Sequence, residues 1–235
     1  MIKSSVIKTD IHTHLLPDID CSGAPKISAN IIKSMKSSGV SNIVLTPHFY
    51  PTLNNDVDTF IASRNKNISD LLDQLSAEGI AGIRLIPAAE VLLCPNIDNM
   101  PGLEKLCFEG TRSILIEMPD PVWNQQLIDT LTRIRDLLKL DVIIAHAERY
   151  GKSNAEMLIS LGFKIQLNAS SFSSFFGRSS LIKWVRNGAV FGIGSDLHIH
   201  SSSTPENYKS FIKASNVLSK YTDQINRLSL ELIEQ

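Results

Sequence analysis

Cysteine is scarce in this chain. Cys21, Cys94 and Cys107 are widely spaced and odd in number, which excludes a disulfide framework and points to a reducing cytoplasm. An excess of one charge is also missing. The 23 basic and 24 acidic residues leave a formal charge of −1, with no long basic or acidic block, so the electrostatic footprint of a nucleic-acid binder is absent. No apolar run approaches the roughly 18 residues that span a bilayer. The opening MIKSSVIKTDIHTH reaches charged residues before the apolar stretch of a secretory signal could form, so a soluble, cytoplasmic protein is expected. Several catalytic devices are lacking too. Cys107 and Arg112 sit one residue too close for a Cys-x5-Arg phosphate loop. Neither a G-x-x-x-x-G-K-[ST] phosphate cradle nor a G-x-S-x-G nucleophile elbow is present. No G-x-G-x-x-G follows the first apolar run, which argues against dinucleotide binding.

What is present is one repeated grammar. Hydrophobic residues make up 43% of the 235 and charged residues 20%, enough to fill a sizeable core. Seven short, β-branched runs read as strands: Val6–Ile11, Asn42–Thr46, Ile83–Ala89, Ser113–Glu117, Asp141–Ala145, Lys164–Leu167 and Val190–Gly194. They are nearly continuous rather than alternating, as in parallel strands covered on both faces. Helical spacing lies between them, at Ile27, Ile31, Ile32 and Met35, then at Ile68, Leu71, Leu72 and Leu75, then at Leu127, Ile128, Leu131, Ile134 and Leu138. Ser153 and Glu156 read as a capping box opening a further helix. Gly39, Gly79, Gly162 and Gly188 each close a helical stretch shortly before a strand, four copies of one helix-to-strand turn. With no linker or composition shift, residues 1–235 read as one α/β domain of right-handed β/α units. A closed or distorted parallel barrel is the expectation, with an open doubly wound sheet as the alternative.

Five of the six histidines stand at strand ends. Asp10, His12 and His14 lie in DIHTH, His48 in LTPHFY, Glu90 in PAAE and Glu117 in ILIEMP; His146 lies in IIAHAERY, Asn168 in IQLNAS, and Asp196 with His198 in GIGSDLH. A barrel builds its active site from such ends. Residues two apart on a strand share a side, so His12 with His14, and Asp196 with His198, can each grip one ion. Histidine and carboxylate without thiolate suit Mn²⁺, Fe or Zn²⁺ rather than Ca²⁺. Five histidines and three carboxylates exceed the four ligands of a single zinc site, so two or three divalent ions sharing carboxylates are expected. His200, in the serine-rich HIHSSST, reads as a solvated residue rather than a ligand.

The ordered set DIHTHLLP, LTPH, PAAE, ILIEMP, HAERY and GSDLH, from about Thr9 to His198, resembles the PHP (polymerase and histidinol phosphatase) superfamily. It is most similar to the bacterial tyrosine-protein phosphatases of capsular and exopolysaccharide synthesis. The resemblance implies a distorted seven-stranded β/α barrel holding three metals, commonly manganese. It places the ligands on His12, His14, His48, Glu90, Glu117, His146, Asp196 and His198. Arg149 of HAERY matches an arginine that assists phosphate binding, and with His146 and Asp20 it forms the expected catalytic set. The implied substrate is phosphotyrosine on the tail of a membrane-anchored bacterial tyrosine kinase; a homo-oligomer stays open. Two features depart from the family. Asp20 matches the first of a usual pair of aspartates, but Cys21 replaces the second. No arginine follows GSDLH before Arg227, so His200 or Lys209 would take over its contacts with substrate phosphate. A small-molecule phosphatase of histidinol-phosphate type, or a metal-binding scaffold that docks a kinase, are the alternative readings.

Overall fold

The structure is a computed structural model, described here for residues 6–17, 19, 25–53, 56–119, 123–174, 177–200 and 208–234. Its elements run β1 (Thr9–His14), α1 (Pro25–Ser37), β2 (Asn42–Leu45), β3 (His48–Phe49), α2 (Val57–Ala77), β4 (Arg84–Pro87), β5 (Glu90–Leu92), β6 (Ser113–Glu117), α3 (Gln125–Asp136), β7 (Asp141–Ile144), α4 (Lys152–Ser160), β8 (Lys164–Asn168), α5 (Arg178–Arg186), β9 (Val190–Gly194), β10 (Leu197–His198), α6 (Lys209–Val217) and α7 (Thr222–Ile233). None of the helices among the described residues is long and apolar enough to cross a membrane.

All strand pairings are parallel, in the order β3-β5-β6-β7-β8-β9-β1-β2-β4, with β10 beside β1. Only Thr46 and Pro47 separate β2 from β3, and only Ala88 and Ala89 separate β4 from β5. Each break lies beside a proline, which cannot donate to a ladder. Hydrogen bonds continue across both breaks, Ala88 to Leu45 at 2.9 Å and Glu90 to Pro47 at 3.0 Å. The path therefore returns through β4 and β5 to β6, closing a curled parallel barrel on a seven-strand plan. The expected first strand is shifted, ending at His14 rather than Ile11, because pairing with Leu197 and His198 carries it further.

The four helix-to-strand turns have one geometry. Gly39, Gly79, Gly162 and Gly188 all have φ between 67° and 97°. In each, the glycine N–H bonds back three residues and the next N–H bonds back five, as in Gly39 to Lys36 at 2.9 Å and Val40 to Met35 at 3.1 Å. A left-handed residue is required there, and glycine adopts it without steric cost. The capping box expected at Ser153 and Glu156 does not form. Gly151, at φ 80° and ψ 156°, ends the preceding turn and caps α4 two residues before Ser153, so that the helix starts at Lys152.

Ile11, Val44, Ile86, Leu115 and Ile143 share the apolar cluster inside the barrel, joined by Leu232 and Ile233 of α7. Arg84, the first residue of β4, donates to the Ile233 carbonyl at 3.2 Å, so α7 covers the end where the strands begin. The opposite end is left for polar groups. Side chains repeat every two residues along a strand, so Glu117 sits one step above the inward Leu115 on β6.

Candidate metal centre

A bulge aims the first histidines. From Asp10 to Thr13 β1 advances three residues, while its partner β2 advances two, from Ile43 to Leu45. The extra residue lets the consecutive Ile11 and His12 face the same side. A Cβ added at Gly192 would lie 2.3 Å from Ile11 Cδ1, and one added at Gly194 would lie 2.5 Å from the His12 Cβ. Two glycines on one face of β9 thus meet two neighbours on β1. Bulges re-aim side chains beside functional sites in this way.

The eight residues expected as ligands come together. His12 Nε2 lies 3.0 Å from His14 Nε2. Both nitrogens are 3.2 Å from Glu90 Oε2, and His48 Nδ1 is 2.9 Å from the same oxygen. His146 Nε2 sits 2.9 Å from Glu90 Oε1 and 3.6 Å from Glu117 Oε1. Asp196 Oδ1 is 3.4 Å from His14 Nε2 and 3.7 Å from His12 Nε2, and His198 Nε2 is 3.3 Å from His48 Nε2. Among the described residues, three overlapping triplets could each hold an ion: His12, His14 and Asp196; His14, His48 and His198; His48, Glu90 and Glu117. His146 and Asp196 are held in left-handed backbone, at φ 32° and φ 52°, a conformation that costs energy and clusters at functional sites.

The electrostatics suit a cation. Burial pushes the Glu90 carboxyl up, but the His12, His14 and His146 imidazoles outweigh it and hold the group well below the usual carboxylate range. Asp196 behaves alike, burial opposed by His14 and His12, with its pKa lowered. Burial, then the neighbouring His14, depress His198 to about 4, which leaves a neutral ring. Ionised carboxylates and a neutral ring such as that of His198 are the forms that coordinate metals. Glu90 Oε2 is buried and accepts no well-aligned hydrogen bond, although three imidazole nitrogens lie within 3.2 Å of it. A divalent ion would satisfy that oxygen and the nitrogens together, so the donor set fits the implied metals.

HAERY does more than carry one histidine and one arginine. The Arg149 guanidinium is 3.0 Å from Asp196 Oδ2 at the rim of the cluster, with over half of its side chain exposed. Glu148, not singled out from sequence, is half-buried and accepts from Asn168 N at 3.0 Å and Ser171 Oγ at 2.8 Å, pinning the turn after β7 to the end of β8. Tyr150 accepts from Met118 N at 2.9 Å and meets His146 Nδ1 at 3.2 Å. A tyrosine four residues after a strand-end histidine gave no signal of that contact. Gln166 was also missed. It is buried at 3.2 Å from His12 Nδ1 and 2.6 Å from the His146 amide nitrogen. Its signal was a polar residue inside the apolar run KIQLN, two residues before Asn168 and hence on the same face.

The profile of the capsular polysaccharide synthesis family CpsB/CapC matches residues 8–229. The chain belongs to the CpsB/CapC family. The fold of this family member is similar to a chain from the crystal structures of YwqE from Bacillus subtilis and CpsB from Streptococcus pneumoniae, described as metal-dependent tyrosine phosphatases. The TM-score is 0.69 at 21% identity, covering 94% of each chain. It is also similar to the phosphotriesterase homology protein from Escherichia coli, crystallised with phosphate in its active site, with TM-score 0.50 and 11% identity over 93% of this chain and 99% of that one. No curated protein is significantly similar in sequence. Of the remaining expected site residues in this CpsB/CapC protein, His200 is exposed and is not in the convergent triplets found among the described residues. Lys209 opens α6 and is exposed. Asp20 and the neighbouring Cys21 lie outside the described residues.

Proposed function

We propose that the protein is a metal-dependent phosphatase that hydrolyses phosphotyrosine on protein, with the tail of a bacterial tyrosine kinase of capsule or exopolysaccharide synthesis as its substrate. The observation that carries this is the convergence of five imidazoles and three carboxylates at one barrel mouth, with Arg149 fixed at its rim. Membership of the CpsB/CapC family supports a capsular substrate over a histidinol-phosphate type. The likeness in fold to tyrosine phosphatases agrees with it.

In this reading His12, His14, His48, Glu90, Glu117, His146, Asp196 and His198 hold two or three divalent ions, Mn²⁺ before Fe or Zn²⁺. Such ions lower the pKa of bound water and neutralise phosphoryl oxygens when present. The chain itself supplies orientation. Arg149 presents a planar, permanently charged fork whose exposed N–H groups can pair with non-bridging phosphate oxygens, while its bond to Asp196 keeps it over the site. Arg149, His146 and Asp20 form the proposed catalytic set, with His200 as a further candidate for substrate contact. The 235 residues act as one phosphoesterase domain in the cytoplasm. The test is turnover of p-nitrophenyl phosphate and of a tyrosine-phosphorylated peptide with added Mn²⁺. Turnover of histidinol phosphate alone would favour a small-molecule enzyme, and turnover of nothing a scaffold.

A further inference from the structure

One carboxamide ties two of these histidines together and reaches a third proposed ligand. The His146 backbone N–H can only donate, and it meets Gln166 Oε1 at 2.6 Å. This fixes which end of the amide is oxygen. His12 Nδ1, 3.2 Å from the same Oε1, must then be the donor and carry a proton. The His12 Nε2 is thereby the atom left to offer a lone pair, and it is the atom that faces His14, Glu90 and Asp196. The other end of the amide continues the chain of logic. Gln166 Nε2 donates to Asn168 Oδ1 at 2.9 Å, so Asn168 Nδ2 donates to Asp196 Oδ2 at 2.8 Å. That carboxylate oxygen also receives Arg149 at 3.0 Å.

We infer that Gln166 is a positioning residue of the metal centre, which holds His12 in the tautomer that ligates through Nε2 and joins His12, His146 and Asp196 into one unit. The inference rests on the metal-centre reading above. It concerns an uncharged amide buried completely beside β9, where a Cβ at Gly194 would come within 2.7 Å of its Nε2. The His146 N–H at one end and Asn168 Oδ1 at the other leave the amide one orientation. Tyr150 differs, because a hydroxyl can serve either tautomer of His146; the Gln166 oxygen can serve only one of His12. Partners that orient metal-bound histidines are worth roughly 10- to 100-fold in metal affinity.

The test uses the full chain stripped with EDTA and titrated calorimetrically with Mn²⁺ alone. Gln166→Leu keeps the bulk and loses the acceptor, and its Mn²⁺ affinity is expected to fall by roughly 10- to 100-fold. Gln166→Glu keeps an acceptor oxygen for both N–H groups but loses the donor to Asn168 Oδ1, so its affinity is expected to fall between those of the parent and Gln166→Leu. The parent needs no mutation for a second reading: ¹⁵N imidazole spectra of the stripped protein are expected to show His12 protonated at Nδ1. Equal Mn²⁺ affinity in Gln166→Leu and the parent overturns the inference, as does a neutral His12 protonated at Nε2 only. Should Gln166→Leu not fold, the glutamate variant and the spectrum decide. A parent that takes up no Mn²⁺ brings down the metal-centre reading and this inference with it.

Discussion

His12 and His14, both fully buried, bring their Nε2 atoms within 3.0 Å of each other. Two bare lone pairs at that distance repel, so something positive belongs between them. A proton can do this in the stripped protein, and Glu90 and Asp196 do raise the His12 pKa against the effect of burial. A metal ion would satisfy both nitrogens and the Glu90 oxygen beside them at once.

The housing of His12 makes Gly194 indispensable. A methyl group there would fall 2.5 Å from the His12 Cβ and 2.7 Å from Gln166 Nε2, with rigid strands on both sides. Gly194→Ala is expected to cost about 1–3 kcal/mol of stability, the usual range for overpacking, and to weaken Mn²⁺ binding. Chemical denaturation and metal titration measure the two effects. A variant as stable as the parent, with unchanged affinity, would show that β9 does not set the His12 position.

Arg149 should matter for turnover and hardly at all for folding. A hydrogen bond to a charged phosphate is worth roughly 1.5–3 kcal/mol, so Arg149→Ala should lose about 10- to 150-fold in kcat/KM. The guanidinium end of its pair with Asp196 is exposed, and the nearly buried Asp196 carboxylate keeps its hydrogen bond from Asn168, so Tm should fall little and metal content should hold. Arg149→Lys keeps the charge without the fork and should also be impaired. Undiminished kcat/KM in Arg149→Ala would make this residue a structural pin for Asp196.

Thiol chemistry should be irrelevant. Cys107 is buried, and burial pushes its thiol up to about 12, far from the thiolate that a nucleophile needs. Burial raises Cys94 as well. Iodoacetamide should therefore leave phosphatase activity intact; inactivation in proportion to alkylation would return a cysteine nucleophile to consideration.

Asp10 adds a pH signature. Burial lifts its carboxyl to about 7, despite hydrogen bonds from Ser195 and His12. Between the ordinary carboxylate range and pH 7 the folded stripped protein then binds a proton that the unfolded chain does not, so this group adds stability as pH falls from 7 toward 4. The gain is about 1.36 kcal/mol per pH unit. In EDTA, the difference in stability between parent and Asp10→Asn should show that slope over pH 4–7. A flat difference would mean that Asp10 is ionised throughout.

Much of the site was legible because β/α units deliver strand ends to one face, and the histidines and acids of this chain stand at those ends. Glu117, read as the residue that ends its strand, comes within 3.6 Å of His146 Nε2. Less legible was anything that depends on pairing between distant strands. The bulge that turns His12 inward exists only in the register of β1 against β2, and the breaks at Pro47 and Ala88 only in the pairing of β3 with β5. Gln166 looked like one polar residue in an apolar strand, since its three partners come from 2 to 154 residues away. Helices α6 and α7 were not read, although the latter seals the barrel floor. The capping box at Ser153 failed because a local pattern lost to Gly151, whose backbone had already set where the helix begins.

The most direct measurement is hydrolysis of a tyrosine-phosphorylated peptide by the parent and by His146→Ala, each assayed in EDTA and then with Mn²⁺ restored. The parent should be silent in EDTA and active with Mn²⁺. His146→Ala should remain folded and silent in both, since its side chain reaches Glu90 and Glu117 at the mouth rather than the apolar interior. Turnover by the parent that persists undiminished in EDTA would contradict a metal-dependent phosphatase at this site.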